Sequence, residues 1–306
     1  MKHIPVMLDE TLACLDVKPT GVYVDATFGY GGHSKAILQQ LTTGKLFVFD
    51  ADLCAIQTAD ALAKGYPNVL FPIHDNYANI ASRLAEHGVT GVDGILIDCG
   101  VSSMQLDEAE RGFSYRYDAP LDMRMDQTKP LDAATIVNTY SYDQLIDILF
   151  RYGEERFAKN IARNIITQRK IKPIKTTFEL VDIIKKSYPA KVLSQPGHPA
   201  KQTFQAIRIA VNDELRSLQS ILQDGLDLLN PSGVMAVITF HSLEDRLVKQ
   251  AFNDRAKAPK TNKRIPFSPV TLKYRLLNSK PILPTPQELK TNPRSASAKL
   301  RAIERK

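Results

Sequence analysis

Gly21-Val22-Tyr23-Val24-Asp25-Ala26-Thr27-Phe28-Gly29-Tyr30-Gly31-Gly32-His33 is the stretch that decides the fold. Its first half is a short apolar run that reads as a buried strand, and its second half is a glycine cluster. From Ser34 to Leu41 the apolar Ala36, Ile37, Leu38 and Leu41 share one side of a helix, which Gly44 ends. Leu46-Phe47-Val48-Phe49 is a second strand closing in Asp50. A helix over 53–64, a strand over 69–73, a helix over about 77–87 and a strand Gly94-Ile95-Leu96-Ile97-Asp98 continue the rhythm. Strands that alternate with helices make βαβ units and a parallel sheet, and near-continuous apolar strands are buried on both faces.

The rhythm breaks after residue 105. Segments 142–151, 154–169 and 176–187 have helical periodicity, and no buried strand is evident up to about residue 200. A long helix over about 203–229 follows, then a fifth core strand, Val234 to Phe240, and a helix over 243–253. Short strands are expected near 272–277 and 299–304. The pattern predicts a doubly wound α/β core from 1–105 and 203–306, with a mostly helical domain, 106–202, inserted into it.

Hydrophobic residues make up 43% of the 306 and charged residues 24%, the balance of a soluble globular protein. Cys14, Cys54 and Cys99 are scattered, with no C-x-x-C pair, so neither a metal site nor a disulfide framework is indicated. No apolar run reaches the roughly 20 residues that span a bilayer. Asp9 and Glu10 stand where a signal peptide would be apolar, so a cytoplasmic protein is expected. Of the net charge of +7, Arg255 to Lys306 carries +12, from fourteen Lys or Arg against Glu288 and Glu304, and residues 1–254 carry −5. A basic end on a near-neutral body fits a nucleic-acid partner or a solvated basic surface.

Open α/β sheets bind ligands beyond the carboxyl ends of their strands. After the first strand, the turn around Gly31 and Gly32 lets a ligand approach the backbone and the free amides of a helix start. It is not the dinucleotide fingerprint, because Ser34 stands where the third glycine belongs. Asp50 ends the second strand 21 residues after Gly29, near the offset of about 20 at which an acid meets ribose hydroxyls. Asp52 is its neighbour, with a helix-capping role as the alternative. After the third strand, Tyr77 suits packing on an adenine, or is simply core. After the fourth come Asp98-Cys99-Gly100-Val101-Ser102-Ser103 and Gln105. Such strand ends make a nucleoside site. The missing pyrophosphate loop favours S-adenosylmethionine over NAD or FAD. An NAD-dependent oxidoreductase, a non-catalytic RNA-binding protein and a methyltransferase acting on DNA or protein remain the rivals.

Several long strings resemble one family. They are His3-x-Pro5-Val6-Met7-Leu8-x-Glu10, Gly31-Gly32-His33, Asp98-x-Gly100-Val101-Ser102-Ser103-x-Gln105-Leu106-Asp107 and Arg111-Gly112-Phe113-Ser114. Pro120 to Asp126, Gly153-Glu154-Glu155, Thr203 to Arg208, Phe240 to Arg246 and Asn292-Pro293-Arg294-Ser295-x-Ser297-Ala298 belong to the same pattern. Together they span nearly the whole chain and resemble the RsmH (MraW) family. The chain departs from it at Ala26, Cys99, Met104 and Thr239, and at Tyr77, where Phe is the more usual aromatic. The resemblance implies a Rossmann-like class I methyltransferase sheet with an inserted helical domain. It also implies transfer of a methyl group to N4 of a cytidine in the decoding region (P site) of 16S rRNA, within the small ribosomal subunit, by a monomer or homodimer. By position it implies donor contacts at Gly31, Gly32, His33, Asp50, Tyr77, Asp98 and Gln105, and no metal.

Cytosine N4 is a poor nucleophile because its lone pair is delocalised into the ring. An acceptor for N4–H is therefore wanted, and Asp98 is the candidate catalytic residue. His241, after the fifth strand, is a second candidate as base or RNA contact, with a structural role as its alternative. Phe113, Tyr115 or Phe240 can stack a flipped base, or belong to the core. Arg111, Arg124, Arg208, Lys260, Lys263, Arg264, Arg294 and Arg301 are candidate RNA contacts.

Overall fold

The computed structural model describes residues 4–258 and 272–306. The chain divides into two compact units, Met1–Gly100 with Leu215–Lys306, and Val101–Glu214.

The first unit is built on a seven-stranded sheet. Its strands are β1 (Val22–Asp25), β2 (Lys45–Asp50), β3 (Leu70–His74), β4 (Val92–Asp98), β5 (Leu229–Thr239), β6 (Tyr274–Leu276) and β7 (Lys299–Arg305). Their order is β3-β2-β1-β4-β5-β7-β6. β1 to β5 run parallel, and β7 is antiparallel to both β5 and β6. This is the doubly wound, largely parallel sheet that the strand rhythm predicts, with the Rossmann-like order that the family resemblance implies. Side chains alternate across it, as period two requires. Val24, Phe47, Phe49, Ile95, Ile97, Met235 and Val237 pack into one core cluster, and Tyr23, Leu46, Val48, Leu96, Ala236 and Ile238 into another. The chain winds outward from β1 to β3 and returns through β4 to β5, so the switch point lies between β1 and β4. Asp25 and Asp98 end those two strands.

The second unit is helical. Its longer helices are Tyr142–Gly153, Ala158–Ile171, Thr177–Ser187 and Ala200–Asn212. Ser141 with Gln144, and Thr176 with Glu179, form reciprocal caps that start two of them. Leu145, Leu149, Ile161, Ile165, Leu180, Ile184, Phe204 and Ile207 share one core.

The structure differs from the sequence reading at three places. The long helix expected over 203–229 is two helices, Ala200–Asn212 and Glu214–Leu228, broken at Asp213, which takes a left-handed φ of 52°. The units consequently divide at 214/215 and at 100/101, not at 202/203 and 105/106. Finally, β5 begins at Leu229, earlier than its apolar run, with a register shift against β4 between Val92 and Gly94.

Helix Ala200–Asn212 belongs to the helical unit because it packs on Tyr142–Gly153, with Gly153 at the crossing. A Cβ on Gly153 would lie 2.7 Å from the Gln202 carbonyl oxygen and 3.1 Å from Ala206 Cβ. Gly153→Ala is therefore expected to destabilise the protein by about 1–3 kcal/mol, the usual cost of overpacking. Denaturant titration of wild type and variant checks this.

Candidate active site

The carboxyl ends of the strands are tied together by their own side chains. Asp25, 1% exposed, accepts the Ser34 hydroxyl at 2.6 Å and the Thr27 amide at 3.1 Å. The Thr27 hydroxyl accepts the Asp98 amide at 2.7 Å, which pins the end of β4 to the turn after β1. Asp50 uses both carboxylate oxygens. Oδ2 accepts the Gly29 amide at 2.8 Å and Oδ1 the Asp52 amide at 2.9 Å, so its plane is fixed. Asp98 Oδ1 is buried and has no hydrogen-bond partner among the described residues. Glu244 is also buried, and its Oε2 accepts the Phe240 and His241 amides.

These acids share one electrostatic condition. Burial raises Asp25 above the usual carboxylate range, lifts Asp50 to about 6 and pushes Asp98 well up. The negative fields of Asp25 and Glu244 raise Asp98 further. Among the described residues no Lys or Arg forms an ion pair with Asp25, Asp50 or Asp98. A ligand with a positive centre relieves this condition, and a pyrophosphate aggravates it. His33 does not neutralise it. Burial lowers its pKa, and its Nε2–H donates to the Val6 carbonyl at 2.9 Å, which assigns the tautomer. Its Nδ1 lies 4.0 Å from Asp98 Oδ2.

The other expected donor residues are placed as follows. Gly31 has φ +71°, and a Cβ there would lie 2.5 Å from the Phe28 ring, so the fold itself requires glycine at that point. Tyr77 opens the one-turn helix Tyr77–Asn79 just after β3 and is half-buried against the first unit's core. Asn76 caps that turn, and Arg83 holds the neighbouring Asp75 at 2.6 Å. Gln105 lies in the second unit. Its Oε1 accepts the Ser102 amide at 3.0 Å in the reciprocal cap of helix Ser103–Asp107. His241 is the N-cap of helix Ser242–Ala256; its Nδ1 accepts the Glu244 amide at 3.4 Å. The departures Cys99 and Met104 are both buried, and the Cys99 amide extends the pairing of β4 with the Ile238 carbonyl.

Four of the candidate RNA-contacting arginines are internal struts. Arg111, 5% exposed, donates to the Arg124 and Met125 carbonyls. Arg124 grips Asp122 through two nitrogens and also donates to the Gln127 and Lys129 carbonyls. Arg208 makes two 2.8 Å bonds to Glu214, and buried Arg301 pairs with Asp245 at 2.7 Å. The five donors of a guanidinium suit loop carbonyls and carboxylates as well as phosphate, which is why sequence could not separate the two uses. Arg294 is exposed; Lys260, Lys263 and Arg264 lie outside the described residues. Of the candidate stacking rings, Phe113 lies in the second unit's core and Phe240 against the first unit's core. Tyr115 stacks on His198 at 4.3 Å beside a cavity of about 340 Å³ in the second unit, lined also by Arg116, Phe178 and Lys185. No carboxylate oxygen lining that cavity is buried without a hydrogen-bond partner among the described residues.

Sequence reasoning missed Thr27, Ser34 and Glu244. Ser34 was visible only as a missing glycine, yet its hydroxyl holds Asp25. Glu244 carried a legible signal, since it sits three residues after the helix cap, at capping-box spacing. Among the described residues no group of His, Cys, Asp and Glu is arranged to hold a metal ion, and no helix is long and apolar enough to cross a membrane.

Comparison with known proteins gives a consistent result. The profile of the MraW methylase family matches residues 1–306. The Ribosomal RNA small subunit methyltransferase H of Leuconostoc mesenteroides subsp. mesenteroides is 53% identical over 312 aligned positions, covering 100% of this chain and 99% of that protein. The protein of the same description from Limosilactobacillus fermentum is 51% identical, covering 99% of this chain and 98% of that one.

An acid whose folded pKa lies above its unfolded value stabilises the fold fully below the unfolded value. That contribution is lost as pH rises through the folded value. Asp98→Asn removes the buried charge at nearly constant shape. The variant is expected to melt about 2 °C or more above wild type at pH 8, with the gap closing towards pH 4, where both side chains are neutral. Thermal unfolding of the ligand-free protein across that range checks this.

Proposed function

The chain belongs to the MraW methylase family, S-adenosylmethionine is its methyl donor, and on that premise we propose that it methylates N4 of a cytidine in the decoding region (P site) of 16S rRNA. The observation that carries the rRNA substrate is the 53% identity, over the whole chain, to a small subunit rRNA methyltransferase. The choice of cytidine N4 is supported by the family strings from Pro5 to Ala298.

The strand ends fit the donor on their own chemistry: a buried carboxylate oxygen at Asp98 with no hydrogen-bond partner among the described residues, acids with no Lys or Arg partner among them, and an acid fixed by two amides at Asp50. When bound, S-adenosylmethionine supplies an electrophilic methyl group on a positively charged sulfur. Asp50 would hold the ribose hydroxyls, since its oriented carboxylate can accept two hydrogen bonds. Tyr77 would pack on the adenine, and Gly31, Gly32 and His33 would form the floor beneath the amino-acid end. Gln105 is carried over only by motif position. Asp98 would do two things. A positive charge beside it favours its ionised form. The ionised carboxylate can then accept N4–H of the cytosine, which localises the nitrogen lone pair and fixes its direction. His241 is left the capping of its helix.

The helical unit, Val101–Glu214, and the basic stretch from Arg255 to Lys306 would hold the RNA. Among the described residues, Arg294 is the exposed arginine of the candidate set. Phosphate contacts of this kind make binding fall steeply with salt.

Tritiated methyl transfer to unmodified small subunits and to naked 16S rRNA, followed by mapping of the modified nucleotide, tests the substrate. Label at one cytidine N4 is expected, and label elsewhere refutes the assignment. Asp50→Ala is expected to weaken donor binding by about tenfold or more, the loss of charged hydrogen bonds, and to leave RNA binding unchanged. Calorimetry with each ligand reads both arms. Asp98→Ala is expected to lose most methyl transfer; wild-type turnover with normal donor affinity would remove Asp98 from the mechanism.

A further inference from the structure

Two of the family strings, one near each end of the chain, have no part in the mechanism above. They meet in the first unit. The Asn292 side-chain nitrogen donates to the Ile4 carbonyl at 3.1 Å, and the Met7 amide donates to Glu288 Oε1 at 2.7 Å. The segment 4–7 held in this way lies directly on the Gly31-Gly32-His33 turn. A Cβ on Gly32 would stand 2.9 Å from Pro5 Cγ, so the Pro5 ring packs directly against the Gly32 backbone there. The Val6 carbonyl accepts the His33 Nε2–H, the bond that sets the imidazole tautomer. The Met7 side chain is fully buried in the same core cluster as Phe28.

The strap depends on these ties. The helix that follows, Leu8–Leu15, begins without help from its own cap. Met7 occupies the cap position with a left-handed φ of 51° and makes no side-chain capping bond. Glu288, far along the sequence, instead accepts the Met7 amide itself and places a carboxylate at the helix's positive end. Asn292 is 6% exposed, and its own carbonyl accepts the Ser295 amide and hydroxyl, so its position is fixed by the Pro293–Ser297 turn.

We infer that Glu288 and Asn292 are positioning residues for the methyl donor, acting through the strap 4–7 to hold Gly32 and His33 in place. This rests on the reading of the Gly31–His33 turn as part of the donor site. Loss of both ties frees the strap, the turn loses its cover, and the amides and imidazole that face the donor are no longer pre-set.

The test uses the full-length chain and S-adenosylmethionine. Glu288→Ala with Asn292→Ala is expected to raise the dissociation constant and KM for the donor by about tenfold, with the KM for RNA unchanged. Glu288→Gln retains an oxygen acceptor for the Met7 amide and is expected to bind the donor within about twofold of wild type. Circular dichroism and melting temperature establish the folded fraction of each variant. Wild-type donor affinity in the folded double variant overturns the inference, as does a Glu288→Gln variant that is folded and as weak as the alanine variant. Failure of the wild-type chain itself to bind S-adenosylmethionine overturns the donor-site reading and this inference together.

Discussion

Desolvation of Asp25, Asp50 and Asp98 at one end of a parallel sheet, with no Lys or Arg paired to them among the described residues, is the constraint around which the first unit is arranged. Unpaired buried carboxylates are costly, and the surrounding structure meets that cost with neutral donors. The Ser34 hydroxyl and Thr27 amide serve Asp25, and the Gly29 and Asp52 amides serve Asp50. Among the described residues nothing donates to Asp98 Oδ1. The fold thus leaves a negative, pre-oriented edge where the winding order of the sheet reverses. An edge of this kind attracts a ligand with a positive centre and hydroxyls to donate. It repels a diphosphate, so it separates the methyl donor from nicotinamide and flavin dinucleotides on electrostatic grounds as well as on the broken fingerprint at Ser34.

The basic residues have an unexpected distribution of labour. Charge counting treats every arginine as a surface charge open to RNA. In the folded chain Arg111, Arg124, Arg208 and Arg301 are spent on carbonyls and carboxylates that would otherwise be unsatisfied. Net charge still describes the chain's long-range attraction for a polyanion. It does not say which side chains touch the polyanion.

Much of the fold was legible. The strand ends at Asp25, Asp50 and Asp98 and the helices after them follow from apolar runs and their punctuation, and a doubly wound sheet fills in the rest. The break at Asp213 was not legible, because an aspartate in the left-handed region leaves the helical periodicity on both sides intact. The division between the units followed that error. At the site, the acids could be found from the rule that ligands gather at carboxyl ends. Ser34 and Thr27 could not, since a hydroxyl that orients a carboxylate has no distinguishing spacing. Gln105 and His241 show the opposite limit: both cap helices, and their motif strings alone do not reveal it.

The central claim is that the strand ends select a cationic adenosine ligand. A thermal-shift titration of the full-length chain with S-adenosylmethionine and with NAD at pH 7.5 or thereabouts tests it most directly. The account predicts a melting temperature that rises with S-adenosylmethionine and stays unchanged with NAD, because NAD, though its nicotinamide ring is cationic, must bring a pyrophosphate to the same acidic edge, whereas the sulfonium comes without one. Equal stabilisation by NAD, or none by S-adenosylmethionine, would contradict it.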